Sequence, residues 1–179
     1  MLHEKIVTQM VLETDRFDLR PLRRSDQGLI DLYASDKALA RMTASIPHPL
    51  PPGATEALIN RAHSDTRVED IWAIDGTKSG ASELVGLISL VRIDAGLTEI
   101  GFWVAPPFWN TGIASEAVAA LIAANPLDSK TMYASVFQDN PASARVMTNS
   151  GFQYLGDAET FSVARNALVP TWTYSLKLN

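Results

Sequence analysis

Apolar and polar positions alternate along Phe17-Asp18-Leu19-Arg20-Pro21-Leu22, which predicts a short strand with Phe17 and Leu19 on one face. The period then lengthens. Ser25 is placed as a helix N-cap with Asp26 in the first turn, and Leu29, Ile30, Leu32 and Tyr33 give an apolar face to a helix over roughly 26–35. Four prolines between Ile46 and Gly53 forbid a regular helix and predict an extended loop. A second helix is expected to begin near Ala54–Glu56, carrying Ala57, Leu58, Ile59 and Ala62.

The middle of the chain reads as strands: Ile71–Ile74, Leu84–Ile93 and Thr98–Val104, with the two glycines of Asp75–Ser82 making a hairpin-type turn. The Ala-rich stretch Gly112–Ala123 has Ile113, Ala117, Leu121 and Ala124 at helical spacing and ends at Asn125-Pro126. Met132–Phe137 is a further strand. A helix from about Pro141 to Asn149 has Asn140 as its cap, Pro141 at the favoured first position and Gly151 as terminator. Tyr154–Val163 and Thr171–Leu178 are expected to close the chain as an antiparallel hairpin. The order is strand, two helices, three strands, helix, strand, helix, two strands. That order predicts an α/β (α+β) fold, a single mixed sheet with helices on its faces.

Composition narrows the function classes. The 179 residues suit a single domain over 1–179, and 46% hydrophobic residues allow a substantial core. There is no cysteine, which excludes a disulfide framework, a thiolate metal site and a cysteine nucleophile. The opening residues lack the apolar run of a secretory signal, and no segment approaches eighteen consecutive apolar residues. A cytoplasmic location with no membrane partner is therefore the expectation. The formal net charge of -5 argues against general nucleic-acid binding and favours a cationic substrate through steering. No His/Asp/Glu cluster has metal-ligand spacing, so no metal is expected.

The chemistry concentrates in Thr98–Ala117, TEIGFWVAPPFWNTGIASEA. A strand runs to Val104, a loop follows over Ala105–Thr111, and a helix opens with Gly112, Ile113, Ala114 and Ser115. Small residues at Gly112 and Ala114 let a ligand approach backbone N–H groups. The first amides of a helix have no internal partners and lie at its positive end, so such a start binds phosphate without many cationic side chains. On spacing alone, a simple strand–loop–helix crossover fits equally well. The stretch has neither the Gly-Lys-Ser/Thr of a Walker-type loop nor the glycine pattern of a dinucleotide fold.

The segment Trp109-Asn110-Thr111-Gly112-Ile113-Ala114 resembles the acetyl-CoA-binding motif of the GNAT superfamily, Gln/Arg-x-x-Gly-x-Gly/Ala. Trp109 in place of Gln/Arg, and the continuation Ser115-Glu116-Ala117, are similar to the RimJ/RimL-like branch of ribosomal-protein N-terminal acetyltransferases. Asn110 departs from the glycine commoner there. Asn140-Pro141-Ala142-Ser143-Ala144-Arg145-Val146, leading to Gly151-Phe152, resembles a second family segment. The resemblance spans nearly the whole chain. It implies a mostly antiparallel twisted sheet of six to seven strands, with helices on both faces and a splayed parallel pair at the CoA site.

It also implies transfer of an acetyl group from acetyl-CoA to a primary amine, on a peptide or a small molecule, by direct attack in a ternary complex. A homodimer is a family expectation. The residues expected along the cofactor are Trp103, Val104, Trp109, Asn110, Thr111, Gly112, Ile113, Ala114, Ser115, Asn140 and Ser143. By alternation Glu99 shares a face with Gly101 and Trp103, at a position where the branch often has a Glu. It is the candidate general base, against a plain solvated strand residue. Ser143 is the candidate near the CoA sulfur, Asn140 near the pantetheine arm, and the backbone of Trp103 and Val104 the candidate oxyanion site. Tyr133 and Tyr154 are substitutes for Ser143 at unexpected positions. His48 could line an acceptor pocket, whereas His3 and His63 read as terminal and polar-face residues. Trp72, Trp103, Trp109 and Trp172 read as core or groove-wall residues. The competing reading is a non-catalytic acyl-CoA-binding or interaction module of the same fold.

Overall fold

The structure is a computed structural model, and it describes residues 9–178; His3 lies outside them. The strands are β1 (Leu12–Glu13), β2 (Asp18–Pro21), β3 (Glu69–Asp75), β4 (Gly86–Asp94), β5 (Leu97–Val104), β6 (Thr131–Phe137), β7 (Gln153–Ser162) and β8 (Ala167–Lys177). They form one sheet in the order β1-β2-β3-β4-β5-β6-β8-β7. Only β5 and β6 run parallel; every other neighbouring pair is antiparallel. The eighth strand, beyond the six or seven expected, is β1, and two residues are too few to show alternation.

The helices are α1 (Gln27–Ala34), α2 (Lys37–Met42), α3 (Ala54–Ala62), α4 (Ile113–Ala124) and α5 (Pro141–Asn149). Apolar residues of β3 show why its sequence does not alternate cleanly: both of its faces are covered. Trp72 and Ile74 join Ile88, Ile100 and α4's Val118 and Leu121 in one core cluster. Ile71 and Ala73 join α1's Ile30 and α3's Ile59 in the other. α2 is too short for periodicity, and its signal is its cap: the Leu39 amide donates to Asp36 Oδ1 at 2.8 Å.

The structure corrects two details of the N-terminal reading. Residues Arg24–Asp26 form a 3-10 turn before α1, so Ser25 is not a helix cap. Asp26 ends that turn rather than standing in the first turn of the helix. It is fully buried and holds Arg20, which is 4% exposed. The guanidinium donates to both Asp26 carboxylate oxygens at 2.9 and 2.8 Å and to Asp75 Oδ2 at 2.8 Å. Burial pushes the Asp75 carboxyl up, but donation from Arg20 and Thr77 outweighs it and leaves the group below its ordinary range.

The feature that positions the site is a divergence in the sheet. β5 pairs with β4 along its whole length, from Asp94↔Leu97 to Gly86↔Val104. It pairs with β6 only at Leu97↔Thr131, Thr98↔Met132 and Glu99↔Tyr133. β6 stays with β8 to Phe137↔Thr171. Beyond Glu99 and Tyr133 the two parallel strands therefore part. Gly86 holds the far end of β5 against β4: a Cβ there would lie 2.3 Å from the Trp103 carbonyl oxygen.

The buried cluster yields a stability prediction. Asp26→Ala leaves Arg20 buried with half its carboxylate partners, so urea unfolding is expected to show a loss of about 3–5 kcal/mol. A loss below about 1 kcal/mol, the range of a surface pair, would contradict the burial described.

Candidate active site

The turn after β5 is built by its own side chains. The Trp109 indole Nε1–H donates to the Val104 carbonyl at 2.6 Å, and the Thr111 hydroxyl donates to the Phe108 carbonyl. Asn110 and Gly112 both adopt left-handed backbone, φ 61 and φ 79. Asn tolerates that region and glycine favours it, so the Asn that departs from the family's glycine still serves the turn. Gly112 then stands as N-cap of α4 with no side chain capping the helix. The first internal bond runs from the Glu116 amide to the Gly112 carbonyl at 3.1 Å. The amides of Ile113, Ala114 and Ser115 lie ahead of it, at the positive end of a twelve-residue helix.

A residue that sequence reasoning missed sits over this turn. Arg16, on the link between β1 and β2, donates from Nη1 to the Thr111 carbonyl at 2.8 Å and from Nε to Glu116 Oε2 at 2.9 Å. Its Nη2 lies 3.4 Å from where a Cβ on Gly112 would stand. The motif lacks a cation at Trp109, and the fold brings one from 95 residues upstream. Only the pairing of β1 and β2 beside α4 reveals it.

Where β5 and β6 part, a cavity of about 630 Å³ crosses the sheet. Its floor is one face of three strands in register: Glu69, Val91 and Glu99 form one row, and Ile71, Ser89 and Gly101 the next. Trp103 and Leu87 continue it. α1, α3 and the 42–50 loop wall one side, and Asn140 and Ser143 of α5 line the other. The structure thus brings Glu99, Trp103, Asn140 and Ser143 to one cavity. Val104 lies at the end of the same strand, where it meets the α4 turn.

Asn140 caps α5 by accepting from the Ser143 amide at 3.4 Å, and its Nδ2 donates to Ser143 Oγ at 3.0 Å. Ser143 therefore accepts through its oxygen and keeps its own proton to donate. The Trp103 carbonyl lies toward β4, whereas the Val104 carbonyl faces the opposite way, to the Trp109 indole. Backbone alternation puts the Phe102 and Val104 groups, not those of Trp103, on the open side of β5. Trp103 offers the cavity its side chain.

Burial raises the Glu99 carboxyl above its ordinary range, and the negative charge of Glu69 adds to the rise. Tyr133, its neighbour across the β5–β6 pairing, is raised by burial and then by Glu99. Neither Tyr133 nor the exposed Tyr154 lines the cavity. His48 is exposed and outside the lining, which includes Pro47 and Leu50 instead. The His63 ring Nε2 is 2.6 Å from the Leu22 carbonyl oxygen. Trp72 is fully buried and Trp109 is 36% exposed. Among the described residues no group of three or more His, Asp or Glu side chains is placed to hold a metal ion, and no helix is long and apolar enough to cross a membrane.

Residues 16–153 match the family model described as Acetyltransferase (GNAT) domain. The chain is 27% identical over 175 residues to the uncharacterized N-acetyltransferase YoaA of Bacillus subtilis (strain 168), covering 93% of this chain and 96% of that protein. Among solved structures, the fold is similar to RimL, a ribosomal alpha-N-protein acetyltransferase in complex with coenzyme A. The TM-score is 0.80 at 18% identity, over 94% of this chain and 98% of that one. It is also similar to a spermidine N-acetyltransferase from Vibrio cholerae in complex with CoA and spermine, at TM-score 0.73 and 20% identity, over 89% and 95% of the two chains.

The cavity's electrostatics make a prediction that needs no ligand. Carboxyl-carbon NMR of labelled Glu is expected to place the Glu99 midpoint above that of exposed glutamates. Removing the like charge by Glu69→Gln takes away one cause of the rise, so the midpoint moves to lower pH. An unmoved midpoint would show that the two carboxylates do not sense each other.

Proposed function

This chain belongs to the GNAT acetyltransferase family, and on that footing we propose that it moves an acetyl group from acetyl-CoA to a primary amine. One observation carries the reading: the parting of β5 and β6 beyond Glu99 opens beside the uncapped start of α4. The α4 amides of Ile113, Ala114 and Ser115, with Gly112 and the turn from Trp109 to Thr111, bind the diphosphate. Arg16 holds that turn in place. The pantetheine arm lies along the open edge of β5 as an added strand, with Asn140 beside it.

Each remaining step has a residue in this cavity. An alkyl ammonium must shed a proton before it attacks, because its pKa is roughly 8 to 10.4. Glu99 accepts that proton, directly or through water, and its raised pKa brings it nearer the amine's. The amine nitrogen then bonds to the thioester carbon, and the Val104 N–H, on the open side of β5, stabilises the oxygen as it gains charge. The carbon–sulfur bond breaks and Ser143 donates its hydroxyl proton to the departing sulfur; the nitrogen sheds its second surplus proton to water, from which Ser143 takes its proton back. No acyl-enzyme is needed, and no cysteine is present to form one. The acceptor is a peptide α-amine or a small amine; the two fold relatives, a ribosomal α-N-acetyltransferase and a spermidine enzyme, represent both.

Thiol release from acetyl-CoA, measured across a panel of amines and peptides, tests the reading. Glu99→Gln is expected to lower kcat/KM at neutral pH by about 10²–10⁴-fold, the range of a general base. CoA binding without thiol release on any acceptor would favour the non-catalytic module. Arg16→Ala separates binding from chemistry: KM for acetyl-CoA is expected to rise about tenfold, close to one charge-assisted bond, with kcat little changed. An equal fall in kcat would move Arg16 from positioning the turn to the chemistry itself.

A further inference from the structure

The cavity carries more charge than one general base requires. Glu69 on β3 and Glu99 on β5 occupy the same cross-strand row with Val91 between them, roughly 10 Å apart at Cα for strands two spacings apart. Both line the cavity and are half-buried. Neither joins an ion pair among the described residues. The other acids of β3 are engaged: Asp70 holds Arg67 and Arg92, and Asp75 holds Arg20. Two half-buried, unpaired carboxylates at one end of an enclosed space are a net negative charge that a cation would neutralise.

Away from that row the wall on the α1–α3 side is mostly apolar, with Thr43, Ser45 and Thr55 among its residues, and Ser89, Asn140 and Ser143 lie on the β5–α5 side. Ile30, Ile46, Leu50, Leu58, Ile71 and Leu87 form that apolar wall. Arg61, at the α3 edge, is the one cationic side chain in the lining, and it is exposed. The cavity therefore has an acidic end, next to the point where β5 and β6 part, and an apolar body. Its size suits a small molecule.

We propose, building on the transfer reading above, that the acceptor is a primary monoamine with an apolar body, and that Glu69 is a specificity-determining residue which helps Glu99 hold its ammonium group. The ammonium lies at the acidic row and the hydrocarbon fills the space toward Leu58 and Leu87. Glu69 acts on recognition of charge, while Glu99 alone takes the proton. With Glu69 and Glu99 both engaged by the first ammonium, a short diamine would place its second charge against the apolar wall, at a desolvation cost with no further carboxylate in the lining to offset it.

Calorimetry on the full chain with CoA bound tests this without relying on turnover. Phenethylamine is expected to bind at least tenfold tighter than its neutral counterpart 2-phenylethanol, and also tighter than methylamine or 1,3-diaminopropane. Glu69→Gln should weaken phenethylamine severalfold and leave 2-phenylethanol unchanged. Leu58→Gln should weaken phenethylamine and leave methylamine unchanged. Thermal unfolding of each variant confirms that it is folded. Equal binding of amine and alcohol, preference for the diamine, or indifference to Glu69→Gln would overturn the proposal. If the amine binds as predicted but releases no thiol from acetyl-CoA, the transfer reading fails and the recognition site stands. If thiol is released while the short diamine outperforms phenethylamine, the reverse holds.

Discussion

The parting of β5 and β6 is the constraint on which the site depends. A sheet that paired these strands throughout would satisfy every backbone group and leave nowhere for a ligand to cross it. Here β5 has to choose a side. The side-chain-free Gly86 lets it close on β4 at the Trp103–Val104 end, and β6 keeps its full pairing with β8. The open edge exposes β5's amides and carbonyls to whatever fills the gap. The Val104 carbonyl already has the Trp109 indole as its partner. That bond fixes the far part of the loop, at Trp109, relative to the last residue of the strand, so the start of α4 stands in a set place beside the opening.

The N-terminal segment ties this arrangement together from outside the sheet's centre. Arg20 binds the strand it lies on to the turn before α1 and to the end of β3. Four residues earlier, Arg16 reaches the α4 turn. One buried ion cluster and one surface bridge thus connect the turn before α1, the sheet and the α4 turn. The buried cluster matters for register as much as for energy, since Leu19 must face one core while Arg20 faces the opposite side. The surface bridge is worth less in stability; its consequence is the shape of a loop with two left-handed residues.

Much of this was legible in the sequence because it is local. Gly112 as helix start, Asn140 as cap, and the alternation that puts Glu99, Gly101 and Trp103 on one face follow from single-residue preferences and period, and the structure has each of them. What was not legible depends on distance along the chain. Arg16 and Glu69 carry no local signal, for each is an ordinary charge until the sheet brings it to a turn or a row. Arg20 and Asp26 follow the polar half of a pattern whose polar side is here buried. β1 and α2 are too short for any period to show. The divergence of β5 from β6 was implied by family resemblance only, since nothing in Ile100–Val104 distinguishes a paired edge from an open one.

The central claim is that the free amides at the head of α4 receive a diphosphate. Amide ¹⁵N–¹H shifts followed during a CoA titration test it most directly. The account predicts that the resonances of Gly112, Ile113, Ala114 and Ser115 move furthest and together, to saturation. If those four stay still while CoA binds elsewhere, or if no resonance moves at millimolar CoA in a folded sample, the account is contradicted.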